Sequence, residues 1–346
     1  MNWKQVNVKV SGLPFVIVYM LRKINTILAV TVIIAAIGIV ACVQENKTAV
    51  KVPAIPNAKP KWIVPDTAEL ANTEDGNMIK YGRLLVVNTS YYFGPKGVIA
   101  HKSNGMNCQN CHLNAGTKLF GNNFSLTATG YPRFKERSGT VENMVKKVED
   151  CFERSLNGKK IDSNSREMKA FLAYLTWIGR NVKKGTKPIG SGIDEPTFLK
   201  RAADTAKGRM VFVSKCQLCH GKGGQGLLNP AGTAYTYPPL WGDHSYNIGA
   251  SIYRVSKFAG YIKNNMPFGT DYKSRKLTDE EAWDVAAFVN SQPHPYKNIN
   301  ADWPKLNTKP YDYPFGPYAD TLFSKNQRKY GPYGPIKKYY AALSKK

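Results

Sequence analysis

Three patterns of apolar and polar positions run along this chain, and each predicts a different kind of segment. The first is an apolar run from Ile27 to Val40, preceded by Arg22 and Lys23. A basic flank ahead of a short apolar core has the form of an export signal. The second pattern repeats with helical period. Met168, Phe171, Leu172, Leu175 and Ile178 mark one helix over Arg166 to Val182, and Ala282, Val285, Ala286 and Val289 mark another that starts at Thr278. Thr278 and Glu281 form a Thr-x-x-Glu capping box that fixes its beginning. Two further helices are predicted ahead of these, from Asn77 to Phe93 and from about Phe198 to Val213, each with an interior glycine, Gly82 and Gly208. Glycine inside a helix costs about 1 kcal/mol against alanine. Each should therefore mark a close contact with an aromatic of the later helix, such as Trp177 or Phe288.

The third pattern is the lack of any period. Residues 43–72 are rich in Lys, Pro and Ala and read as a tether; beyond Pro295 a Pro- and Tyr-rich tail, with Gly316-Pro317-Tyr318 and Gly331-Pro332-Tyr333, is expected to wrap the folded parts. The chain thus divides into a signal and anchor (1–42), a tether (43–72), two units of one plan (73–190 and 191–300) and an extension (301–346).

Composition narrows the function. With 346 residues, 42% of them hydrophobic, two small cores are within reach. Lys and Arg outnumber Asp and Glu by 49 to 24, and the net charge of +25 favours anions and acidic partner proteins. The charge is spread out, without a basic helix or finger motif, which argues against nucleic acid as a partner.

The six cysteines carry the chemistry. Cys42 ends Ile39-Val40-Ala41-Cys42, which resembles the box where bacterial lipoproteins are cleaved and lipidated, and Met20 suits such a signal as a start better than Met1. The alternative is an uncleaved membrane helix, for which the run is short. Either way the remainder is exported to the periplasmic side of a bacterial membrane. Cys108-Gln109-Asn110-Cys111-His112 and Cys216-Gln217-Leu218-Cys219-His220 follow the two early helices. Cys-x-x-Cys-His presents two thiols to the vinyl groups of a haem, and the next histidine supplies an axial nitrogen. A zinc half-site or a thioredoxin-like pair does not require that histidine. The fold class follows: all-α, two tandem class I cytochrome c-like domains, each with a covalently bound haem c. Met266, in Asn265-Met266-Pro267, stands where small c-type cytochromes place their thioether ligand. In the first unit Cys151 has no disulfide partner. Iron ligation by Cys151, an inert buried thiol, and ligation by Met144 all remain open on chemistry alone.

The segment Cys151-Phe152-Glu153-Arg154-Ser155-Leu156-Asn157-Gly158, followed by Phe171-Leu172-Ala173-Tyr174-Leu175, resembles the dihaem thiosulfate dehydrogenases, and the likeness extends from about Asn77 to Ser291. That family oxidises two thiosulfates to tetrathionate, and some members run in reverse. The resemblance implies that Cys151 is the second ligand of the first haem and that substrate meets Arg137, Lys147 and Ser155, with Arg154 nearby. Lys147 stands where an arginine is expected, which keeps the charge and loses the fork. Asn265 replaces a lysine found in some members, removing the basis for expecting a lysine-to-methionine ligand exchange. Electrons would pass to a redox partner protein, a small cytochrome c or another carrier. A non-enzymatic dihaem electron carrier and a dihaem peroxidase are the competing readings. His101, His244 and His294 receive no role.

Overall fold

A computed structural model describes residues 61–343 of the chain, so the apolar run, Cys42 and residues 43–60 of the tether lie outside the described residues. Among the described residues no helix is long and apolar enough to cross a membrane.

The first unit opens with α1 (Glu74–Val87), where the Thr73 hydroxyl accepts from the Gly76 amide at 3.2 Å. A single helix to Phe93 was expected; the chain instead leaves helical geometry at Asn88 and resumes as α2 (Thr89–Phe93). Thr89 accounts for the break. Its hydroxyl returns to the Leu85 carbonyl (2.8 Å) and accepts from the Cys108 amide (3.0 Å), so the bend is what seats the first Cys-x-x-Cys-His. A hairpin of β1 (Arg133–Lys135) and β2 (Thr140–Glu142) precedes α3 (Met144–Asp150), which runs into a π-helical turn, Cys151–Ser155. The unit closes with α4 (Arg166–Ile178), capped by Ser165 and stopped by Gly179, short of the expected Val182.

Gly82 is where α1 crosses α4. A Cβ there would lie 1.9 Å from the Ala170 carbonyl oxygen and 2.8 Å from Tyr174 Cβ. The close approach is as expected, but its partners are Ala170 and Tyr174; Trp177 lies further along and stacks on Tyr174.

The second unit repeats this arrangement. Its α5 spans Thr205–Lys215 and begins later than expected, because the Asp204 carboxylate accepts from the Ala206 and Lys207 amides and terminates the extended approach from Phe198. The hairpin β3 (Leu227–Leu228) and β4 (Tyr235–Tyr237) leads to α6 (Val255–Asn265), then to α7 (Asp279–Ser291) behind the Thr278–Glu281 capping box. A Cβ on Gly208 would lie 1.9 Å from the Asp284 carbonyl oxygen and 2.8 Å from Phe288 Cβ, the aromatic expected there. The identical geometry at Gly82 and Gly208 shows one helix crossing used twice.

Each unit has its own core, around Leu85, Phe152, Phe171 and Tyr174 in the first and around Phe212, Trp283, Val285 and Val289 in the second. The units are joined by specific hydrogen bonds, from Tyr261 Oη to the Asn110 carbonyl (3.1 Å), Lys118 Nζ to the Thr270 carbonyl (2.9 Å) and Asn265 Nδ2 to the Phe120 carbonyl (3.1 Å). The tail crosses both units and ends in α8 (Lys325–Tyr330) and α9 (Tyr333–Leu343), with Tyr333 and Ile336 buried in the second core. Caged cations hold the tail together where aliphatic residues are scarce. Lys309 donates to the Phe315 and Pro317 carbonyls among the rings of Trp303, Phe315 and Tyr318, and Arg328 pairs with Asp320 over Tyr318.

Candidate active site

The first Cys-x-x-Cys-His segment opens on a cavity of about 150 Å³ in the first unit. Cys108, Cys111, His112, Lys147, Cys151 and Ser155 all line it, whereas Met144 does not. His112 is oriented by its Nδ1, 2.5 Å from the Asn122 carbonyl oxygen, with the Phe124 ring 4.3 Å from the imidazole. That contact assigns the proton to Nδ1 and leaves Nε2 free as a metal ligand. Burial holds the imidazole neutral, pushing its pKa down to about 4, and pushes the Cys108 and Cys111 thiols up to about 12. Half-buried, unpaired thiols beside a ligand-ready imidazole fit a haem held through two thioethers, since the bonds replace groups that desolvation already keeps uncharged.

Across the cavity, the π-helical turn decides what faces His112. Leu156 N–H bonds to the Cys151 carbonyl at 2.9 Å, five residues back, and this wider turn brings both Cys151 and Ser155 to the lining. Lys147, half-buried one helical turn before Cys151, completes the wall. Its amine is held above the usual lysine range, chiefly by the charge on the Cys151 sulfur, against the cost of burial.

Arg137 and Arg154 do not line the cavity. Arg137 donates to the Gly249 carbonyl (2.9 Å) and to the Tyr313 hydroxyl, lies over Trp303 and has its Nε 3.9 Å from Asp302. Arg154 forms a bidentate pair with Asp302, both contacts 2.8 Å, and lies 3.8 Å from Asp150. Two residues outside the lining were missed from sequence. Lys135 on β1 is pushed down to about 8, by burial first and then by Arg133, Lys147 and Arg137. Asp302 comes from the tail, and no motif marks it.

The second centre is a larger cavity, about 710 Å³, lined by Cys216, Cys219, His220 and Met266. His220 Nδ1 is 2.8 Å from the Pro238 carbonyl oxygen, again leaving Nε2 for a metal. Asn265 Oδ1 and Thr270 Oγ1 are buried without a partner in the protein, and both residues line this cavity. Such orphaned atoms are expected where the polar edge of a bound cofactor completes the hydrogen bonding. The donor set fits a second haem, which Cys216, Cys219, His220 and Met266 would hold. The two cavities share Met106, Asn107 and Cys111 in their linings, so the two haem sites are immediate neighbours. His101, His244 and His294 line neither cavity.

Residues 99–183 match the SoxA/TsdA cytochrome c domain, and residues 203–289 match the model for cytochrome C oxidase, cbb3-type, subunit III. The chain is 36% identical over 253 residues to a thiosulfate dehydrogenase of Psychrobacter arcticus, covering 72% of this chain and 73% of that protein. A thiosulfate dehydrogenase of Allochromatium vinosum is 35% identical over 265 residues, 75% of this chain and 90% of the relative. Among solved structures, the thiosulfate dehydrogenase TsdBA from Marichromatium purpuratum superimposes with a TM-score of 0.63 at 28% identity over 69% of this chain. This chain spans 50% of that larger one. With two haem-binding cytochrome c domains and these relatives, the chain belongs to the thiosulfate dehydrogenase family.

Proposed function

We propose that this protein joins two thiosulfate ions into tetrathionate with release of two electrons, or runs the same reaction backward, at the cavity shared by His112 and Cys151. The observation that carries this reading is the convergence of Cys151, Lys147 and Ser155 on the lining that holds Cys108, Cys111 and His112. A protein that only carried electrons would have no use for a basic and a hydroxyl group beside the second ligand position.

The chain's own residues account for binding. The Lys147 ammonium meets the dianion in a partly dry site, where charge pairing is stronger than in water, and the Ser155 hydroxyl donates to a sulfonate oxygen. The Cys151 thiolate forms a sulfur–sulfur bond with the terminal sulfur of thiosulfate, giving a cysteine S-thiosulfonate and two electrons. A second thiosulfate attacks that terminal sulfur, the bond to Cys151 breaks, and tetrathionate leaves with the thiolate restored. The two haems supply one-electron acceptors, the first held by Cys108, Cys111 and His112 and the second by Cys216, Cys219, His220 and Met266. Arg137, in the next layer, adds positive potential while its guanidinium braces the tail.

The site of action proposed is the periplasmic face of a bacterial membrane, with Cys42 as the lipid anchor and 43–72 as the tether. The apolar run just ahead of Cys42 supports this, and the high positive charge supports an acidic or haem-bearing redox partner.

The test is thiosulfate-dependent reduction of ferricyanide by the doubly haem-loaded protein beside Cys151→Ala. Turnover in the parent and its loss in the variant is the expected result. Equal rates in both would remove Cys151 from the reaction, and no turnover in either direction would leave an electron carrier.

A further inference from the structure

Asp302 lies beyond the last helix of the second unit, yet its carboxylate reaches the turn that carries Cys151. It grips Arg154, the fourth residue of that turn, through two contacts of 2.8 Å, and its side chain is only 8% exposed. The next residue reinforces the contact. The Trp303 amide donates to the Arg137 carbonyl at 2.7 Å, and Trp303 adopts φ 57°, a left-handed conformation that a bulky residue takes only when its surroundings impose it. A second bracket comes from Asn247 of the second unit. Its amide donates to the Arg154 carbonyl (3.1 Å), and its side chain donates to the Glu153 carbonyl (2.8 Å) and to Asn157 Oδ1 (3.0 Å). The outer face of the turn is therefore bolted to the tail and the second unit, while Cys151 and Ser155 face the cavity.

We propose that Asp302 is a positioning residue for the active site: by fixing Arg154 it holds the π-helical turn so that Cys151 stays opposed to His112 and Ser155 stays turned to substrate. The inference rests on the proposed role of Cys151. A buried, bidentate ion pair suits the task, because removing one partner leaves the other charge uncompensated and the segment free to rearrange. Asp302 also offsets part of the Arg137 charge, so the ammonium of Lys147 is the cation left to meet substrate in the cavity wall.

The test uses the full holoprotein with Asp302→Ala and the near-isosteric Asp302→Asn, beside Asp320→Asn, which breaks a tail ion pair with Arg328 and carries no contact to the turn. Three quantities are read: deuterium uptake by residues 151–158, the electron paramagnetic resonance signal of the first haem, and the kcat and KM for thiosulfate. In the Asp302 variants uptake by 151–158 rises about tenfold, the signal of the first haem shifts, and kcat falls about tenfold with a smaller change in KM, the scale seen when a ligand's supporting contact is lost. Asp320→Asn leaves all three at parent values. Unchanged uptake, or an equal response to Asp320→Asn, overturns the proposal. If Asp302→Ala fails to load haem, Asp302→Asn decides. If the parent turns over no thiosulfate, the uptake and the resonance signal still decide, so failure of the functional reading is distinguishable from failure of this one.

Discussion

Lys147 and Cys151 stand four residues apart on one cavity wall, and the charge on the Cys151 sulfur is the largest influence on the Lys147 amine, raising its pKa above the ordinary lysine value. At a position where the family resemblance leads one to expect an arginine, this chain keeps the charge as a single compact point.

Lys147→Met is therefore expected to raise the KM for thiosulfate about tenfold or more, the effect of removing one charge-assisted contact. Lys147→Arg should recover most of the affinity. Steady-state kinetics at constant ionic strength check both, and an unchanged KM in Lys147→Met would take this residue out of substrate binding.

Gly82→Ala would place a Cβ 1.9 Å from the Ala170 carbonyl oxygen. Backbone cannot yield as a flexible side chain does, so the α1–α4 crossing must open at a cost of about 3 kcal/mol. Denaturant unfolding of the holoprotein measures this. Gly208→Ala, with the same 1.9 Å approach to Asp284, should cost a similar amount in the second unit.

Both glycines were visible in the sequence because a helix interior gives them no local reason to exist. The haem-attachment segments and the Thr278–Glu281 capping box were equally legible, since each is complete within five consecutive residues. Helix α6 was overlooked although Val255, Phe258, Ala259 and Ile262 repeat at helical spacing, because Ser256, Gly260, Asn264 and Asn265 between and after them read as loop and are buried all the same. Phe198 misled for the opposite reason: it is apolar because it packs on Trp283 and Tyr333, not because it is helical. Asp302 and Asn247 act across the fold, 148 and 90 or more residues from the groups they bond, and no spacing rule reaches that far.

Met266→Ala should separate the two haem sites. Met266 lines only the larger cavity, so the variant is expected to lose the thioether-to-iron band of the second haem while the first haem keeps its spectrum. Rapid-mixing absorbance should still show thiosulfate reducing the first haem, with steady-state turnover lowered about tenfold by slower onward transfer, in line with loss of a tuning ligand. Parent turnover in this variant would mean that Met266 is core filling only.

Lys135 gives the site a pH dependence whose two signs differ. Burial, and then Arg133, Lys147 and Arg137, push its pKa down to about 8, so the folded protein carries this charge below pH 8 and loses it above. Thiosulfate remains a dianion throughout, and the KM is expected to be flat below pH 7 and to rise through about pH 8 as the positive potential that Lys135 adds beside Lys147 falls. Stability moves the other way. The unfolded lysine titrates near the ordinary lysine value of 10.5, so between about 8 and 10.5 the unfolded chain binds a proton that the folded chain has released. More protons on the unfolded state means that this residue's contribution to stability increases with pH over that window. Weaker binding above pH 8 therefore cannot be ascribed to Lys135-linked unfolding. Lys135→Arg, which stays charged, should flatten the KM profile and remove this rise in stability. Kinetics and denaturant midpoints across pH 6 to 10 read the two effects separately, and a KM profile unchanged by Lys135→Arg would show that another group sets it.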